Sequence, residues 1–498
     1  MKVFILTEGS RSAGLGHVSR CTALYQAFEA AGLSPRLIVS GDETAASLLA
    51  GRSYDLFDWK EDTGRLLGMT AGADIVVIDS YLAGPGLYRE ISETAGTAVY
   101  IDDDLRIDYP AGIVVNGTVF AERFGYPRRD GVVHLLGSRY AMLRREFWDV
   151  PVKEAGERVE TVLITLGGDD ARDLTPRILA LLNERVPELN KRVIIGKGFR
   201  EPGRIEALRD ERTELIYCPD ARGMRVAMLA SDVAVSAAGQ TLYELARVGV
   251  PTVAVAVADN QMGNVRGWLD AGFIEYAGWW SDGETLVNVV SCLDRLMRRG
   301  EIRERMSEAG RRLVDGRGAR RIVRECIGQS LARHVTVREA SYDDMYEVYR
   351  LSNEADVRAV SFRSAPIAIE EHERWFVRKM QDGSSLLLVA ECRGGFAGQV
   401  RFDVSGDEAV VSISLKRDYR GSGIGRHVLK KALSLLTSRF PGVRVVKAHV
   451  LKENAASLRF FENAGFRFSG EMVMRGREAS ELLFDTRERE DHGTAYQG

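Results

Sequence analysis

The stretch Ser12-Ala-Gly-Leu-Gly-His-Val-Ser-Arg20 follows an apolar run, Val3 to Leu6. It precedes Cys21 to Gly32, where apolar residues recur at helical spacing and a glycine ends the pattern. This order predicts a strand, a glycine loop and a helix. Gly14 and Gly16 let the backbone approach a ligand closely, and the helix start presents unpaired N–H groups to it. The stretch therefore predicts an anion site in an α/β domain.

His17 stands where this loop enters the helix. A neutral imidazole can take a proton from water near neutral pH, as general-base catalysis requires. A helix-start histidine that bonds only the backbone explains the sequence equally well. The dinucleotide fingerprint G-x-G-x-x-G is not met, because Ser19 stands at its third glycine position. We therefore interpret the loop as an anion or sugar-nucleotide site with a candidate base.

Composition narrows the class of protein. The 498 residues suffice for about three domains. A formal net charge of -3 argues against nucleic acid or an anionic membrane as the main partner. The 5 cysteines are scattered without metal or disulfide spacing, and no apolar run is long enough to span a bilayer. We expect a cytoplasmic protein without a metal, and its oligomeric state stays open.

Residues 1–150 alternate short apolar runs with helical patterns, which predicts a parallel sheet covered on both faces. Ligands bind at the carboxyl ends of such strands. Polar groups follow several of these ends, including Asp79-Ser-Tyr81, Asp102-Asp-Asp104 and Asn116-Gly117. The three aspartates can bind Mg²⁺, but a strand-end turn explains them better.

A polar stretch, Lys153 to Arg158, marks a boundary, and residues 151–330 repeat the alternating pattern. In this second Rossmann-like domain, Gly239 and the following N–H groups can hold a pyrophosphate at a helix start. Glu244, one turn into the helix, can accept bonds from two ribose hydroxyls, although an acid that only favours the helix dipole is common there. Asn260 and Gln261 supply amides that can contact a sugar.

The last third has a different pattern. Alternating strands and a glycine loop within 335–485 predict a mixed α+β domain, and the polar residues 486–498 are expected to be disordered. Before it, Glu284 to His334 is helical and rich in arginine. The run Arg311 to Arg321 is interpreted as a solvated helix face rather than a nucleic-acid patch.

Residues 1–330 resemble the UDP-sugar hydrolases of the pseudaminic acid pathway. The resemblance rests on ordered motifs: Gly14-Leu-Gly16-His17-Val-Ser-Arg20, Asp79-Ser-Tyr81, Ile101-Asp-Asp103, Gly137-Ser-Arg-Tyr-Ala-Met-Leu143, Gly167-Gly-Asp169, Gly239-x-Thr241-x-x-Glu244 and Asn260-Gln261. It implies a two-domain GT-B arrangement. It also implies inverting hydrolysis of UDP-2,4-diacetamido-2,4,6-trideoxy-β-L-altropyranose to UDP and the free sugar.

The resemblance also assigns residues. The family's base corresponds to His17, and Tyr81 and Asn260 correspond to further active-site positions. Contacts to the UDP-sugar are expected from Gly14, Gly16, Arg20, Gly239, Gln240, Thr241, Glu244 and Gln261. Gln240 departs from the family, which usually has serine before the threonine, so this chain has no hydroxyl at that position. An alternative function is a GT-B glycosyltransferase with an accessory or silent third domain.

Residues 335–485 resemble the GNAT superfamily of acetyl-CoA-dependent N-acetyltransferases, through Arg420-x-x-Gly423-x-Gly425, Asn454 and Gly465-Phe466. The resemblance implies acetyl-CoA as cosubstrate. The residues expected to bind it are Ile413, Leu415, Arg420, Gly421, Gly423, Ile424, Gly425, Asn454 and Ser457. Phe461 occupies the place where many members have a tyrosine that reprotonates the CoA thiolate.

Four residues are candidates for the acetyl-acceptor side: Arg358, His372, Trp375 and Glu391. His372 or Glu391 can deprotonate an ammonium, since only the free amine attacks a thioester. A partly buried structural pair is an equal explanation for His372 and Trp375. In the pseudaminic pathway, N-acetylation of a 4-amino UDP-sugar precedes hydrolysis, so the two domain types fit two successive steps.

Overall fold

The computed structural model describes residues 1–10, 15–154 and 156–487. They form two compact units, Met1–Val323 and Arg324–Gly498. The predicted division of the first unit near residue 150 stays a prediction. Of the predicted tail, residues 488–498 lie outside the described part of the chain. Thr486 is tied to the second unit, because its hydroxyl donates to the carbonyl of Val443 at 2.9 Å.

The first half of unit one is built on a seven-stranded parallel sheet with strand order β3-β2-β1-β4-β5-β6-β7. Its strands are β1 (Val3–Gly9), β2 (Arg36–Gly41), β3 (Tyr54–Leu56), β4 (Ile75–Asp79), β5 (Thr97–Ile101), β6 (Gly112–Asn116) and β7 (Val132–Leu136). The helices between them are α1 (Gly16–Ala30), α2 (Glu43–Leu48), α3 (Thr63–Thr70) and α4 (Pro85–Thr94). Every residue of β1, β4 and β5 is buried, as expected for strands with helices on both faces.

The second half repeats this plan with six parallel strands in the order β10-β9-β8-β11-β12-β13. Its strands are β8 (Thr161–Thr165), β9 (Asn190–Ile195), β10 (Thr213–Tyr217), β11 (Val233–Ala237), β12 (Thr252–Ala256) and β13 (Ile274–Trp279). Its helices are α5 (Leu174–Arg185), α6 (Pro202–Glu206), α7 (Ala221–Leu229), α8 (Thr241–Val248), α9 (Met262–Asp270), α10 (Thr285–Arg298) and α11 (Gly300–Leu313). The next helix, α12 (Gly318–Ala332), begins in unit one and ends in unit two. In both sheets the strand order reverses beside the first strand, as in Rossmann folds, and ligands bind at that reversal.

Arginines of α11 and α12 form hydrogen bonds and ion pairs within the protein. Arg311 donates to the carbonyl of Lys153 at 3.0 Å, and Arg321 forms an ion pair with Asp315. Arg303 is almost fully buried, and its guanidinium donates to main-chain carbonyls. These arginines therefore form internal contacts, whereas the sequence predicted a solvated helix face for the run Arg311 to Arg321.

Unit two contains a seven-stranded mixed sheet in the order β14-β15-β16-β17-β18-β20-β19. Its strands are β14 (Val335–Glu339), β15 (Ser385–Cys392), β16 (Gly395–Ser405), β17 (Glu408–Leu415), β18 (Val445–Leu451), β19 (Arg467–Met474) and β20 (Arg477–Asp485). Its helices are α13 (Met345–Ser352), α14 (Ala355–Ala359), α15 (Ile369–Gln381), α16 (Ile424–Arg439) and α17 (Ala455–Asn463). The fold class predicted from the sequence, two Rossmann-like domains followed by a GNAT-like α+β domain, is confirmed.

Among the described helices, none combines the length and the apolar character needed to cross a bilayer.

Candidate functional site

His17 lies in the first turn of α1, which begins at Gly16. Gly14, predicted to line the same loop, lies outside the described residues. His17 Nδ1 is 3.2 Å from Oδ1 of Asp79, the last residue of β4. The Asp79 side chain is fully buried. Because Nδ1 faces a carboxylate, it carries the proton of the neutral ring, and Nε2 keeps the lone pair that a base needs.

Arg20 lies one turn after His17 and binds two carboxylates. Its Nε and Nη2 donate to Asp79 at 2.5 and 2.6 Å, and its Nη1 donates to Asp103 at 2.8 Å. Burial lowers the pKa of the guanidinium, but the two carboxylates outweigh it and hold the pKa of Arg20 above its ordinary value. Arg20 was predicted to contact the UDP-sugar. Three of its N–H groups donate to Asp79 and Asp103, and Arg20 also lines the cavity described below, so its contact with the UDP-sugar stays a prediction.

Tyr81 completes this cluster. Its hydroxyl donates to Asp103 Oδ1 at 2.6 Å, and its ring meets the His17 ring edge-on with centroids 4.5 Å apart. Burial, and then the charge of Asp103, raise the pKa of Tyr81 well above its ordinary value. Burial raises the pKa of Asp103, but Arg20 and Tyr81 lower it by more than burial raises it. The net pKa is therefore below its ordinary value, and this carboxylate stays ionised. The cluster therefore joins a candidate base to a neutral phenol and an ionised carboxylate.

The second predicted loop connects β11 to α8. Gln240 is the residue before the first helical turn and Thr241 is the first helical residue. The side-chain amide of Gln240 donates to the carbonyl of Met142 at 3.4 Å. Gly239 and Gln240 thus stand at the start of a helix, where main-chain N–H groups favour an anion.

Gln261 lies against this loop. A Cβ placed on Gly239 would be 3.6 Å from Gln261 Nε2. The Gln261 carbonyl oxygen accepts from the N–H of Val257 at 3.0 Å, which leaves its NH₂ group facing the glycine. Asn260 is exposed in the same short turn, after β12. The structure therefore brings Gly239, Gln240, Thr241 and Gln261 together at one sheet edge.

Glu244 is buried and forms an ion pair with Arg144. Its Oε1 accepts from Nη2 and Nε of Arg144 at 2.6 and 2.9 Å. Burial raises the pKa of Glu244, although Arg144 opposes the shift. Arg144 carries no local sequence signal, because nothing in its pattern shows that it meets a helix one hundred residues later. A ribose hydroxyl would have to bind the remaining oxygen of Glu244.

The two clusters border one narrow cavity. Arg20, Asp103 and Thr118 line it from the first sheet, and Gln240 and Tyr243 line it from α8 and its start. Tyr243 also joins the halves of unit one, since its hydroxyl accepts from the N–H of Val119 at 3.0 Å. Residues of both halves of unit one therefore line the same small cavity.

Asp102, considered as a magnesium ligand, lies in a strand-end turn. Its carboxylate accepts from the hydroxyl of Tyr126 at 2.6 Å and from the N–H groups of Asp104 and Arg106. Within the described residues, no group of three or more His, Cys, Asp or Glu side chains is arranged to hold a metal ion.

In unit two, the predicted acetyl-CoA loop precedes α16. Gly421 and Gly423 have φ angles of +71° and +92°, in the left-handed region that favours glycine. Arg420 ties the loop to β17, because its Nε donates to the carbonyl of Leu415 at 2.7 Å, and it pairs with Glu354. Ile424 and Gly425 open the helix. The loop therefore presents a helix N-terminus suited to a pyrophosphate.

β17 and β18 are parallel and paired only from Glu408 to Val411 and from Val445 to Ala448. Beyond this point, β17 stays bound to β16 through Leu415, while β18 stays bound to β20. We call this divergence the fork. It leaves one edge of the strand that carries Ile413 and Leu415, both predicted to bind acetyl-CoA, unpaired with β18. Asn454 caps α17 by accepting from the N–H of Ser457 at 3.1 Å.

Two acceptor-side predictions do not fit the structure. His372 is 2% exposed, packs against Tyr349 and Trp375, and has Nε2 3.2 Å from the carbonyl of Met345. Burial lowers its pKa, so it is neutral and enclosed. Glu391 forms an ion pair with Arg338 at 2.7 Å on the outer strand pair. His372 is therefore a core residue and Glu391 stabilises the sheet edge; the helical spacing that suggested a site reflects packing.

The remaining candidates are separated. Arg358 lies on α14, where Nη2 donates to Ser361 at 3.0 Å and Nε is buried without a partner among the described residues. Trp375 contacts Arg401, whose guanidinium lies 5.5 Å from the ring. Phe461 is buried, with the rings of Phe460 and Phe466 each at 5.0 Å. Phe461 therefore serves the core at the position where many acetyltransferases have tyrosine.

Unit one has two separate parallel sheets with the candidate site at their carboxyl edges, and unit two has a forked sheet with a glycine loop. Together with the comparisons that follow, this is an enzyme with a sugar-nucleotide part and an acetyltransferase part. Comparison supports both assignments. Residues 334–467 match the Acetyltransferase (GNAT) domain family. The N-terminal part is homologous to enzymes of sugar-nucleotide metabolism.

Three relatives illustrate this. An uncharacterized protein of Methanocaldococcus jannaschii is 22% identical over 494 residues, which cover 96% of this chain and 98% of the relative. The pseudaminic acid cytidylyltransferase and UDP-2,4-diacetamido-2,4,6-trideoxy-beta-L-altropyranose hydrolase of Helicobacter pylori is 26% identical, covering 53% of this chain and 46% of that protein. The spore coat polysaccharide biosynthesis protein SpsG of Bacillus subtilis is 28% identical, covering 32% and 48%. The chain thus spans about half the length of the two bacterial relatives.

Proposed function

We propose that unit one hydrolyses UDP-2,4-diacetamido-2,4,6-trideoxy-β-L-altropyranose to UDP and the free sugar. The observation that carries this proposal is the contact of His17 Nδ1 with Asp79 at 3.2 Å. It leaves Nε2 available to take a proton, beside residues that line the cavity. The hydrolase activity in the name of the Helicobacter pylori relative supports the choice of substrate.

In the proposed step, water attacks the anomeric carbon and gives a proton to His17 Nε2. The new C–O bond forms as the bond to the β-phosphate oxygen breaks, so the configuration inverts and UDP leaves as an anion. Asp79 stabilises the imidazolium that results. The N–H groups at the start of α8 stabilise the charge on the leaving phosphate. No metal is part of this step.

We further propose that unit two transfers an acetyl group from acetyl-CoA to the 4-amino group of the UDP-sugar precursor. The glycine loop before α16 binds the pyrophosphate, and the unpaired edge of β17 at the fork binds the pantetheine arm. The match of residues 334–467 to the GNAT family supports this activity. The product of unit two is then the substrate of unit one, and the covalent tether raises its local concentration.

The test offers the whole chain UDP-4-amino-4,6-dideoxy-N-acetyl-β-L-altrosamine and acetyl-CoA in H₂¹⁸O, followed by NMR and mass spectrometry. We expect N-acetylation first, then UDP and a free sugar that carries ¹⁸O at the anomeric carbon. His17→Ala should leave acetylation intact and stop UDP release. UDP release that survives this change contradicts the mechanism, and release only upon addition of a sugar acceptor indicates a glycosyltransferase instead.

A further inference from the structure

At the fork, part of the sheet face opposite α16 is open, although α13 and α15 pack on the same face elsewhere. Ala409, Val411, Ala448 and Val450 pack in the core shared with α16. Side chains alternate along a strand, so Ser412 and His449 point to the opposite face. These two residues follow the last paired residues of β17 and β18. Ser412 is exposed, which shows that this face is open to solvent at the fork.

His449 is held on this face by a carboxylate. Its Nε2 lies 3.1 Å from Oε2 of Glu481, the residue opposite it on β20. Glu481 Oε1 accepts from the hydroxyl of Ser469 at 3.4 Å. Lys447, the charged neighbour on the same face, pairs with Glu408 at 2.7 Å. Within the described residues, His449 Nδ1 has no hydrogen-bond partner, so a ring protonated at Nε2 has its lone pair free at Nδ1.

A second polar atom on this face lacks a partner. Gln399 lies on β16 opposite Ser414 and alternates with the core residue Val400, so it shares the face of Ser412. Its Oε1 is buried and has no hydrogen-bond partner among the described residues. A buried acceptor without a donor is costly, and an N–H group of a bound amine would satisfy it.

We propose that His449 is the general base of acetyl transfer, that Glu481 is its positioning residue, and that the acceptor amine binds at the open face of the fork. This inference rests on the proposed acetyltransferase function. The ammonium gives one proton to His449 Nδ1, and the amine lone pair attacks the thioester carbonyl. The C–N bond forms and the C–S bond breaks. The second amine proton ends on the CoA sulfur, and His449 returns its proton to water.

The variants His449→Asn and Glu481→Gln test this proposal in the full chain, with His334→Asn, an exposed histidine of the same unit, as the matched control. CoA release is measured against pH with acetyl-CoA and the 4-amino UDP-sugar. We expect His449→Asn to lower kcat/KM about a hundredfold. We also expect it to abolish the acid limb of the pH profile, which is the fall in kcat/KM at low pH. Glu481→Gln should lower it about tenfold and move the limb to lower pH, because removal of the carboxylate destabilises the imidazolium.

Calorimetric titration with CoA separates this role from folding and from cofactor binding, since both variants should keep the wild-type Kd within about twofold. If His449→Asn does not fold, Glu481→Gln alone tests the proposal, because its acid limb should lie at lower pH than that of the wild type. If the wild type binds CoA but does not acetylate this sugar, the proposed substrate is wrong. The same variants are then compared for acetyl-CoA hydrolysis, in which water replaces the amine, and a tenfold loss is expected.

An activity of His449→Asn within twofold of the wild type, with the acid limb intact, would overturn the proposal. A wild-type chain that binds CoA and catalyses neither reaction would overturn it as well.

Discussion

The imidazole Nδ1 of His17 lies 3.2 Å from the fully buried carboxylate of Asp79. This relationship exists because the first turn of α1 passes over the end of β4, which pairs with β1 in the sheet. Arg20, one turn later, donates to both oxygens of the same carboxylate. The carboxylate thus orients the histidine, and the guanidinium pairs with the buried carboxylate through two hydrogen bonds.

Asp79→Asn should impair hydrolysis more than it impairs binding. The amide keeps the shape of the side chain but removes the charge that fixes the tautomer and stabilises the imidazolium. We expect kcat for UDP release to fall by about 10² to 10⁴, with the Kd for UDP nearly unchanged. Steady-state kinetics and calorimetry measure both. Asp58→Asn, at an exposed aspartate, should change neither. A fall in affinity without a fall in kcat would contradict the role of Asp79.

Arg20→Met should destabilise unit one. It leaves Asp79 and Asp103 without their shared partner, and breaking such a buried ion pair costs about 3–5 kcal/mol. Urea unfolding followed by circular dichroism measures the loss. The matched control is Arg36→Met, which breaks a pair with Asp55 in which the arginine side chain is 50% exposed. Exposed pairs contribute about 0–1 kcal/mol, so equal losses in the two variants would disagree with this account.

Glu244→Gln should reduce discrimination between ribose and deoxyribose. If the oxygen of Glu244 not bound by Arg144 accepts from a ribose hydroxyl, wild type binds UDP more tightly than 2′-deoxy-UDP by about tenfold, the value of a charged hydrogen bond. In the variant this ratio should fall towards one. Calorimetry measures the Kd of both ligands for the wild type and for the variant. Glu284→Gln, at another helix start, is the control. An unchanged ratio would remove Glu244 from the ribose site.

Gly423→Ala should weaken acetyl-CoA binding and destabilise unit two. Gly423 has φ +92°, and an added Cβ would lie 2.9 Å from the carbonyl oxygen of Arg324. The left-handed backbone alone costs a residue with a side chain about 1–2 kcal/mol. Chemical denaturation and CoA titration measure the two effects. Gly442→Ala, at a position where an added Cβ meets nothing within 4 Å, is the control and should be nearly neutral.

His372 should make unit two less stable in acid. Burial lowers its pKa in the folded state, so below its unfolded pKa of about 6.5 the unfolded chain binds more protons than the folded chain. The stability is therefore complete above that pH and declines as the pH falls towards the folded pKa. His372→Gln should flatten this decline between about pH 7.5 and 5, measured by urea unfolding. A decline of the same size in the variant would assign it to other groups, such as His427, whose pKa burial also lowers.

Much of the fold could be predicted from local patterns. Near-continuous apolar runs alternating with helical spacing indicated the two parallel sheets, because strands covered on both faces need apolar residues at every position. The glycine loops before α8 and α16 were located for the same reason, since a tight turn into a helix requires particular residues at particular spacing. His17 was placed at a helix start on this basis, and the structure agrees.

The partners of these residues could not be predicted in this way. Arg144 reaches Glu244 across 100 positions of the chain, and the spacing of His372 and Trp375 on a helix is the same whether the face points to a substrate or to a core. Burial distinguishes the two cases, and burial depends on what other elements pack there. His449 could not be predicted as a site residue, because a single histidine on a strand has no functional pattern in the sequence. Its role is suggested only by the tertiary structure, in which β18 separates from β17 at this residue.

The sequence by itself determined the succession of strands, loops and helices, the two classes of domain and the positions of the glycine loops, because these follow from side-chain period and backbone freedom within a few residues. Only the tertiary structure decided which charges meet. The pairing of His17 with Asp79, of Glu244 with Arg144 and of His449 with Glu481 depends on strand order and register, which place residues far apart in the chain within hydrogen-bond distance.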